Sequence, residues 1–287
     1  MLDRSERLAA VGKGPKSDFS GRCDRGCGTD TFTTGCSALN PQPFSFYMLI
    51  LALDTTTRAG SIALLRDDTV LAAETGNPTR THGERLPGEI VQLLRRHDVP
   101  LPAIDVYAVA AGPGSFTGLR IGIATMQGLA LAHGKGLVGV SALDALALSA
   151  QWQIREELSP GAIAVWMEAQ RQEVFAAIYG AANLNCLDGP AVAGPAEIRA
   201  RWRPFLQRGR VWFVGDGAIA YRDIDSPAAD AVTVIDPTPP MAPAVAALAA
   251  REAAAGRLRG PEAVRPLYVR RPDAELARDR AKARVDL

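Results

Sequence analysis

The sequence predicts an α/β protein with two lobes, each built on a mixed sheet flanked by helices. Three observations carry that prediction. Three strand-like segments, 49–54, 61–67 and 69–75, follow one another so closely that they form an antiparallel meander. Strand and helix patterns then alternate to about residue 150, and at Gly161 the pattern returns to strands. The length of 287 residues fits two units at roughly 150 residues per domain.

The composition narrows the function classes. Hydrophobic residues make up 47% and charged residues 22%, and 32 basic against 31 acidic residues leave a net charge of +1. So balanced a chain has no global attraction to nucleic acid or anionic lipid. No apolar run reaches the 18 residues of a membrane span. The opening "MLDRSERLAAVGKGPKSDFS" lacks the apolar core of a signal peptide, so a cytoplasmic protein is expected. Three of the four cysteines fall in the first 47 residues, and only Cys186 follows, so disulfides do not hold the body together.

Residues 1–47 are rich in Gly, Ser, Thr, Asp and Pro without apolar periodicity, and read as a disordered leader. Cys23 and Cys27 have a zinc-compatible spacing and Cys36 could join them, but no fourth ligand is near and the first histidine is His82. Met48 directly precedes the first strong strand pattern, which makes it the expected natural start.

"LILALD" (49–54) is a continuous apolar run of the kind a buried strand needs. "TTTRAG" turns the chain, and "SIALLRD" and "TVLAAET" complete the meander. In "HGERLPGEIVQLLRRH" (82–97), Leu86, Ile90, Leu93, Leu94 and His97 share one helical face, and Pro87 keeps the helix start close by. "DVYAVAAG" (105–112) is a further buried strand. "GLVGVSALDALALSA" (136–150) gives a short strand and a helix with Ser141 as N-cap. The segments 162–168 and 173–179 pair as a hairpin, "RVWFVGDGA" (210–218) holds a strand, and 243–256 is an Ala-rich helix. The expected division is a first lobe at 48–150 and a second at 151–271. Residues 241–271 are free to pack back on the first lobe, and a frayed tail covers 272–287.

Two turns have chemistry in reach. "DTTT" (54–57) puts an acid and three hydroxyls at a strand end, an arrangement that can face phosphate and a hydrated metal, or simply close a hairpin. "GPGSFTG" (112–118) joins a strand to a helix, where glycines allow close backbone approach and the helix N-terminus favours anions. It is not a Walker A loop, because no Lys follows the last glycine, and tight helix–strand packing explains it equally well. The helix behind it, about 115–132, carries a small-residue stripe of Gly118, Gly122 and Thr125 beside an apolar stripe of Leu119, Ile123, Met126 and Ala130. A helix apolar nearly all round is covered on most sides, and one cover can be another chain. His82, His97 and His133 form no metal-ligand spacing, and Glu168 and Glu173 read as solvated turn residues rather than a catalytic pair.

The runs "LALDTTTRAGSIALL", "THGERLPGEI", "AAGPGSFTGLRIGIATMQGLALA" and "GVSALDALA", in that order, resemble the TsaB family of the bacterial tRNA threonylcarbamoyladenosine (t6A) machinery. The likeness continues weakly through "EAQRQEVFAAIY", "VGDGA" and "RPLYVR", covering about 48–271. It implies an actin-like, ribonuclease H-like two-lobed fold related to sugar kinases. It also implies a non-catalytic subunit that pairs with the transferase TsaD through first-lobe helices and is joined by the ATPase TsaE. Such an assembly uses ATP and moves a threonylcarbamoyl group onto the adenosine beside the anticodon, so that tRNA is met only through the complex. No cofactor is expected in the isolated chain, and a homodimer is expected when TsaD is absent. The H-x-x-x-H metal pair of the transferase has no counterpart after the Gly-rich helix. The family's usual Asp-Ala-Arg stands here as Glu168, Ala169 and Gln170.

On this reading Asp54, Thr55, Gly112 and Gly114 are the remnant of a nucleotide-facing site. Leu86, Ile90, Leu93, Met126 and Ala130 are the apolar contacts offered to the partner. The alternatives are an active actin-fold ATP-dependent phosphotransferase or a metal-dependent peptidase-like enzyme.

Overall fold

The computed structural model describes residues 48–154, 161–223 and 232–270, and all structural statements concern these. The leader at 1–47, with Cys23, Cys27 and Cys36, and the tail at 272–287 lie outside the described residues.

Ten strands form two five-stranded sheets. The first contains β1 (Leu49–Asp54), β2 (Ser61–Arg66), β3 (Thr69–Thr75), β4 (Val106–Gly112) and β5 (Gly136–Ser141), in the order β3-β2-β1-β4-β5. β1–β2 and β2–β3 are antiparallel, whereas β1–β4 and β4–β5 are parallel. The second contains β6 (Gly161–Glu168), β7 (Val174–Gly180), β8 (Cys186–Ala193), β9 (Arg210–Val214) and β10 (Val232–Ile235), in the order β10-β9-β6-β7-β8. Its pairings repeat the scheme, with β6–β7 and β7–β8 antiparallel and β6–β9 and β9–β10 parallel. Each sheet is thus a meander followed by two parallel strands, the duplicated ribonuclease H-like plan of an actin-like α/β protein.

Helices α1 (His82–Arg96) and α2 (Phe116–Ala132) cover one face of the first sheet, and α6 (Ala242–Ala254) covers the other. Helix α3 (Ala142–Gln153) packs on the second sheet and against α6, while α4 (Pro195–Leu206) and α5 (Asp216–Ala220) cover that sheet's far face. The central strands explain this layering. All six residues of β1 are buried, Leu49, Leu51 and Leu53 toward α1 and α2, and Ile50 and Ala52 toward α6. In β6, Ile163, Val165 and Met167 face α3, and Ala162, Ala164 and Trp166 face α4 and α5. A strand apolar on both faces can only sit between two layers.

Local signals set the helix starts. Ser141 caps α3, its hydroxyl accepting from the Asp144 N–H at 3.3 Å. Thr81 precedes α1 and donates its N–H to the Glu84 carboxylate at 2.9 Å, half of a capping box. His97 ends α1, as a helix-terminating histidine is expected to, but it is exposed and not a member of the buried face. Among the described residues no helix is long and apolar enough to cross a membrane.

Candidate functional site

The two predicted turns meet at the base of a cleft of about 870 Å³, lined by Thr56, Thr57, Arg58, Ser115, Glu168 and Asp216, among others. Two of their donors tie the turns to each other. The Ser115 N–H donates to the Thr56 carbonyl at 2.8 Å, and the Thr55 hydroxyl donates to the Gly118 carbonyl at 2.8 Å. A methyl group added to Gly114 would lie 2.5 Å from the Thr56 side chain. Gly112, at φ +121°, faces the Leu267 carbonyl, which an added methyl would meet at 2.7 Å. Thr55 and the two glycines therefore serve tight packing of the two turns against each other.

Asp54 is 2% exposed, and its Oδ1 accepts from the Thr56 N–H (2.8 Å) and the Thr56 hydroxyl (2.6 Å). Burial pushes its carboxyl up to about 6; the Thr56 bonds pull the other way, and the nearby Asp216 charge adds to the rise. Beside it, Arg85 is 4% exposed. It bonds Glu89 at 2.6 Å, the Ala59 carbonyl, and the His82 Nδ1 at 2.8 Å. The His82 Nε2 lies 2.9 Å from the Thr57 carbonyl. That network assigns the Nε2–H tautomer, with Nδ1 accepting. Burial, reinforced by the Arg85 charge, holds the imidazole below its ordinary range. Arg85 thus ties the β1–β2 turn to α1, a role the sequence did not announce.

The small-residue stripe of α2 splits by environment. A methyl group at Gly118 would lie 2.0 Å from the Thr55 carbonyl, and one at Gly122 would lie 2.2 Å from the Thr55 hydroxyl. These glycines let α2 sit directly on the β1–β2 turn. Gly128 has nothing within 4 Å of that position.

The five residues assigned to a partner interface need correction. Leu86, Ile90, Leu93, Met126 and Ala130 are 0–3% exposed and belong to the core between the first sheet and its two covering helices. Their apolar stripe faces the sheet because that is where water is excluded, so a second chain would meet the residues between them. On α1 these are Glu84, Pro87, Gly88, Val91 and Arg95, and on α2 they are Arg120, Ala124, Gly128 and Leu131. Leu131 is 61% exposed and Val91 38%. From Ile121 to the end of α2 there is no charge, and Ile121, Thr125 and Leu129 are half-buried beside the outward residues. Glu173, for its part, pairs with Arg270.

Comparison with known proteins bears on the same region. A family model described as TsaD, tRNA N6-adenosine threonylcarbamoyltransferase, matches residues 69–281. The chain belongs to the TsaD/TsaB family. Its named relatives place it with TsaB: the tRNA threonylcarbamoyladenosine biosynthesis protein TsaB of Escherichia coli (strain K12) is 44% identical over 103 residues, 36% of this chain and 44% of that protein. The TsaB of Bacillus subtilis (strain 168) is 33% identical over 132 residues, 46% of this chain and 55% of that protein. The chain thus spans about half the length of these named relatives. A Pseudomonas aeruginosa crystal structure, described as an uncharacterized protein with similarity to peptidase YEAZ, is 31% identical. It superposes with a TM-score of 0.65 over 78% of this chain and 100% of that one. The two-sheet fold is therefore shared with that Pseudomonas aeruginosa protein.

Proposed function

We propose that this TsaB-family chain is a non-catalytic scaffold. It docks a TsaD-type transferase, and with it a TsaE-type ATPase, for threonylcarbamoyl transfer to the tRNA adenosine adjacent to the anticodon. The observation that carries the reading is the outer face of α2, where Ala124, Gly128 and Leu131 are exposed and no charge interrupts the surface after Arg120. Small residues let a partner helix approach closely, and uncharged apolar side chains can be covered without desolvating an ion. Val91 and Gly88 of the adjoining α1 extend the face. An interface of ordinary size, about 800 Å² per partner, needs both helices. In the absence of TsaD, two copies pair through the same face. In this cytoplasmic assembly ATP and tRNA are handled by the complex.

The test is co-elution with TsaD of the same source. Gly128→Glu places a carboxylate in open space in this chain, so folding is expected to be unaffected, yet the charge would be buried in the complex. Loss of co-elution with a melting temperature no lower than the parent's is the expected result. Full co-elution of both Gly128→Glu and Ala124→Glu would remove this face from the function.

A further inference from the structure

The chain beyond α6 crosses from one sheet's layer to the other at the cleft. After a short 3-10 turn at Pro261–Ala263, the Gln127 amide donates to the carbonyls of Pro261 (2.9 Å) and Val264 (3.1 Å), fixing the segment along α2. The Leu267 N–H donates to the Ala111 carbonyl at 2.7 Å, at the end of β4. The Tyr268 ring stacks on Phe116 with centroids 5.3 Å apart, and its hydroxyl accepts from the Arg120 Nε at 3.4 Å. All of these anchors belong to the first sheet's layer. Two residues on, Arg270 reaches the β6–β7 hairpin of the second sheet. It donates to the Ala169 carbonyl at 2.7 Å, pairs with the Glu173 carboxylate, and lies over the Phe175 ring at 5.9 Å. Leu267, Tyr268, Val269 and Arg270 line the cleft wall.

The layers also meet along the seam between α3 and α6, and that seam has an unusual composition. Ala142, Ala145, Ala147 and Ala150 of α3, and Ala244, Ala246 and Ala249 of α6, are fully buried in the core the two sheets share, beside Leu143, Leu146, Leu148 and Val245. Alanine ridges are shallow, so a seam in which they alternate with larger side chains interlocks less than one built of leucine or phenylalanine throughout. Sliding of packed helices is the shear mode of interlobe motion, and shallow ridges resist it least. A seam of this kind needs an angle-setting contact elsewhere.

We propose that residues 264–270 are an interlobe latch with Arg270 as its clasp: it holds the two layers at a fixed angle, and its release lets the α3–α6 seam slide and the cleft widen. The clasp is built for release. The Arg270 and Glu173 side chains are 21% and 37% exposed, so water and salt compete for both. The first-sheet anchors are mostly neutral and keep the strap in place when the clasp opens. The proposal stands apart from the docking face and does not depend on it.

Spin-label distances test it. Labels go on Thr79→Cys and Gln170→Cys, exposed positions on the first-sheet and second-sheet sides of the cleft, in the full chain with Cys23, Cys27, Cys36 and Cys186 changed to Ser. Arg270→Ala is expected to lengthen the mean separation by a few ångström and to broaden its distribution. Glu173→Gln, a half-exposed change that leaves the fold intact, is expected to do the same to a smaller extent. Exchange of the Leu267 amide hydrogen should stay within about tenfold of the parent rate, because the strap keeps its first-sheet anchors. A longer distance in either variant with a cooperative thermal melt supports the latch. Distributions that coincide with the parent in every variant that melts cooperatively overturn it, including the case in which Arg270→Ala fails to fold and Glu173→Gln is unchanged.

Discussion

Replacing Asp54 with asparagine should stabilise the protein at neutral pH and lose that advantage in acid. The carboxyl is fully buried, and burial lifts its folded-state pKa from an ordinary 3.8 to about 6. A group whose proton is held more tightly in the folded state favours folding when protonated and opposes it when ionised. Between the two values the folded state gains the extra proton. Above pH 6 the penalty is complete, and below pH 4 it is absent. At about 1.4 kcal/mol per tenfold change in proton affinity, the full penalty is about 3 kcal/mol. Asparagine keeps an oxygen where Oδ1 accepts from the Thr56 N–H and hydroxyl, and removes the charge. Its amide hydrogens need acceptors in the same buried site, which lowers the expected gain at pH 8 to about 1–3 kcal/mol. Urea unfolding followed by tryptophan fluorescence at pH 4.5, 6 and 8 measures it, with Trp166, Trp202 and Trp212 buried as reporters. The gain must shrink toward the acid end. A difference that stays constant with pH, or a variant less stable than the parent at pH 8, refutes the argument that ionised Asp54 burdens the fold.

The remaining expectations concern the two covering helices. Ile90→Glu puts a carboxylate at a position 3% exposed beneath α1, so it should cost about 3–5 kcal/mol and abolish the cooperative melt, rather than merely weaken partner binding. A normal melt with lost co-elution would return Ile90 to the interface. Gly118→Ala drives a methyl to 2.0 Å from the Thr55 carbonyl and should destabilise by about 1–3 kcal/mol, whereas Gly128→Ala, in open space, should stabilise by about 0.5–1 kcal/mol through helix propensity. Equal melting temperatures for the two alanine variants would contradict the assigned packing.

Much of the fold was legible because its central strands are continuous apolar runs. "LILALD" and "VYAVAAG" are short apolar runs of strand length bounded by turn residues, and each forms a fully buried strand. The Ser141 cap and the 161–180 hairpin follow equally local rules. What escaped notice was weakly patterned. β8 is an edge strand interrupted by Gly189–Pro190 and mostly half-exposed, and α4 contains Pro204 and buries only Pro195, Ile198 and Trp202. Such elements exist because a neighbouring sheet needs covering, and nothing in their own residues demands them.

The candidate site was harder, for a reason that α1 and α2 separate clearly. In α1, charges on one side and Leu86, Ile90 and Leu93 on the other state which face meets the sheet. Once that stripe covers the sheet it cannot also cover a partner, so the same periodicity that predicted the helix already excluded those residues from the interface and pointed to Gly88 and Val91. In α2 the periodicity is nearly silent, because small and apolar residues surround the axis. Gly118, Gly122 and Gly128 are identical as letters, yet two of them press on Thr55 and the third faces open space. The contact that distinguishes them comes from a turn more than 60 residues earlier, since the Thr55 hydroxyl and the Gly118 carbonyl are 63 positions apart. Where a helix has no polar face of its own, its orientation is set by the surface beneath it, and the face left for another protein is defined only once that surface is in place.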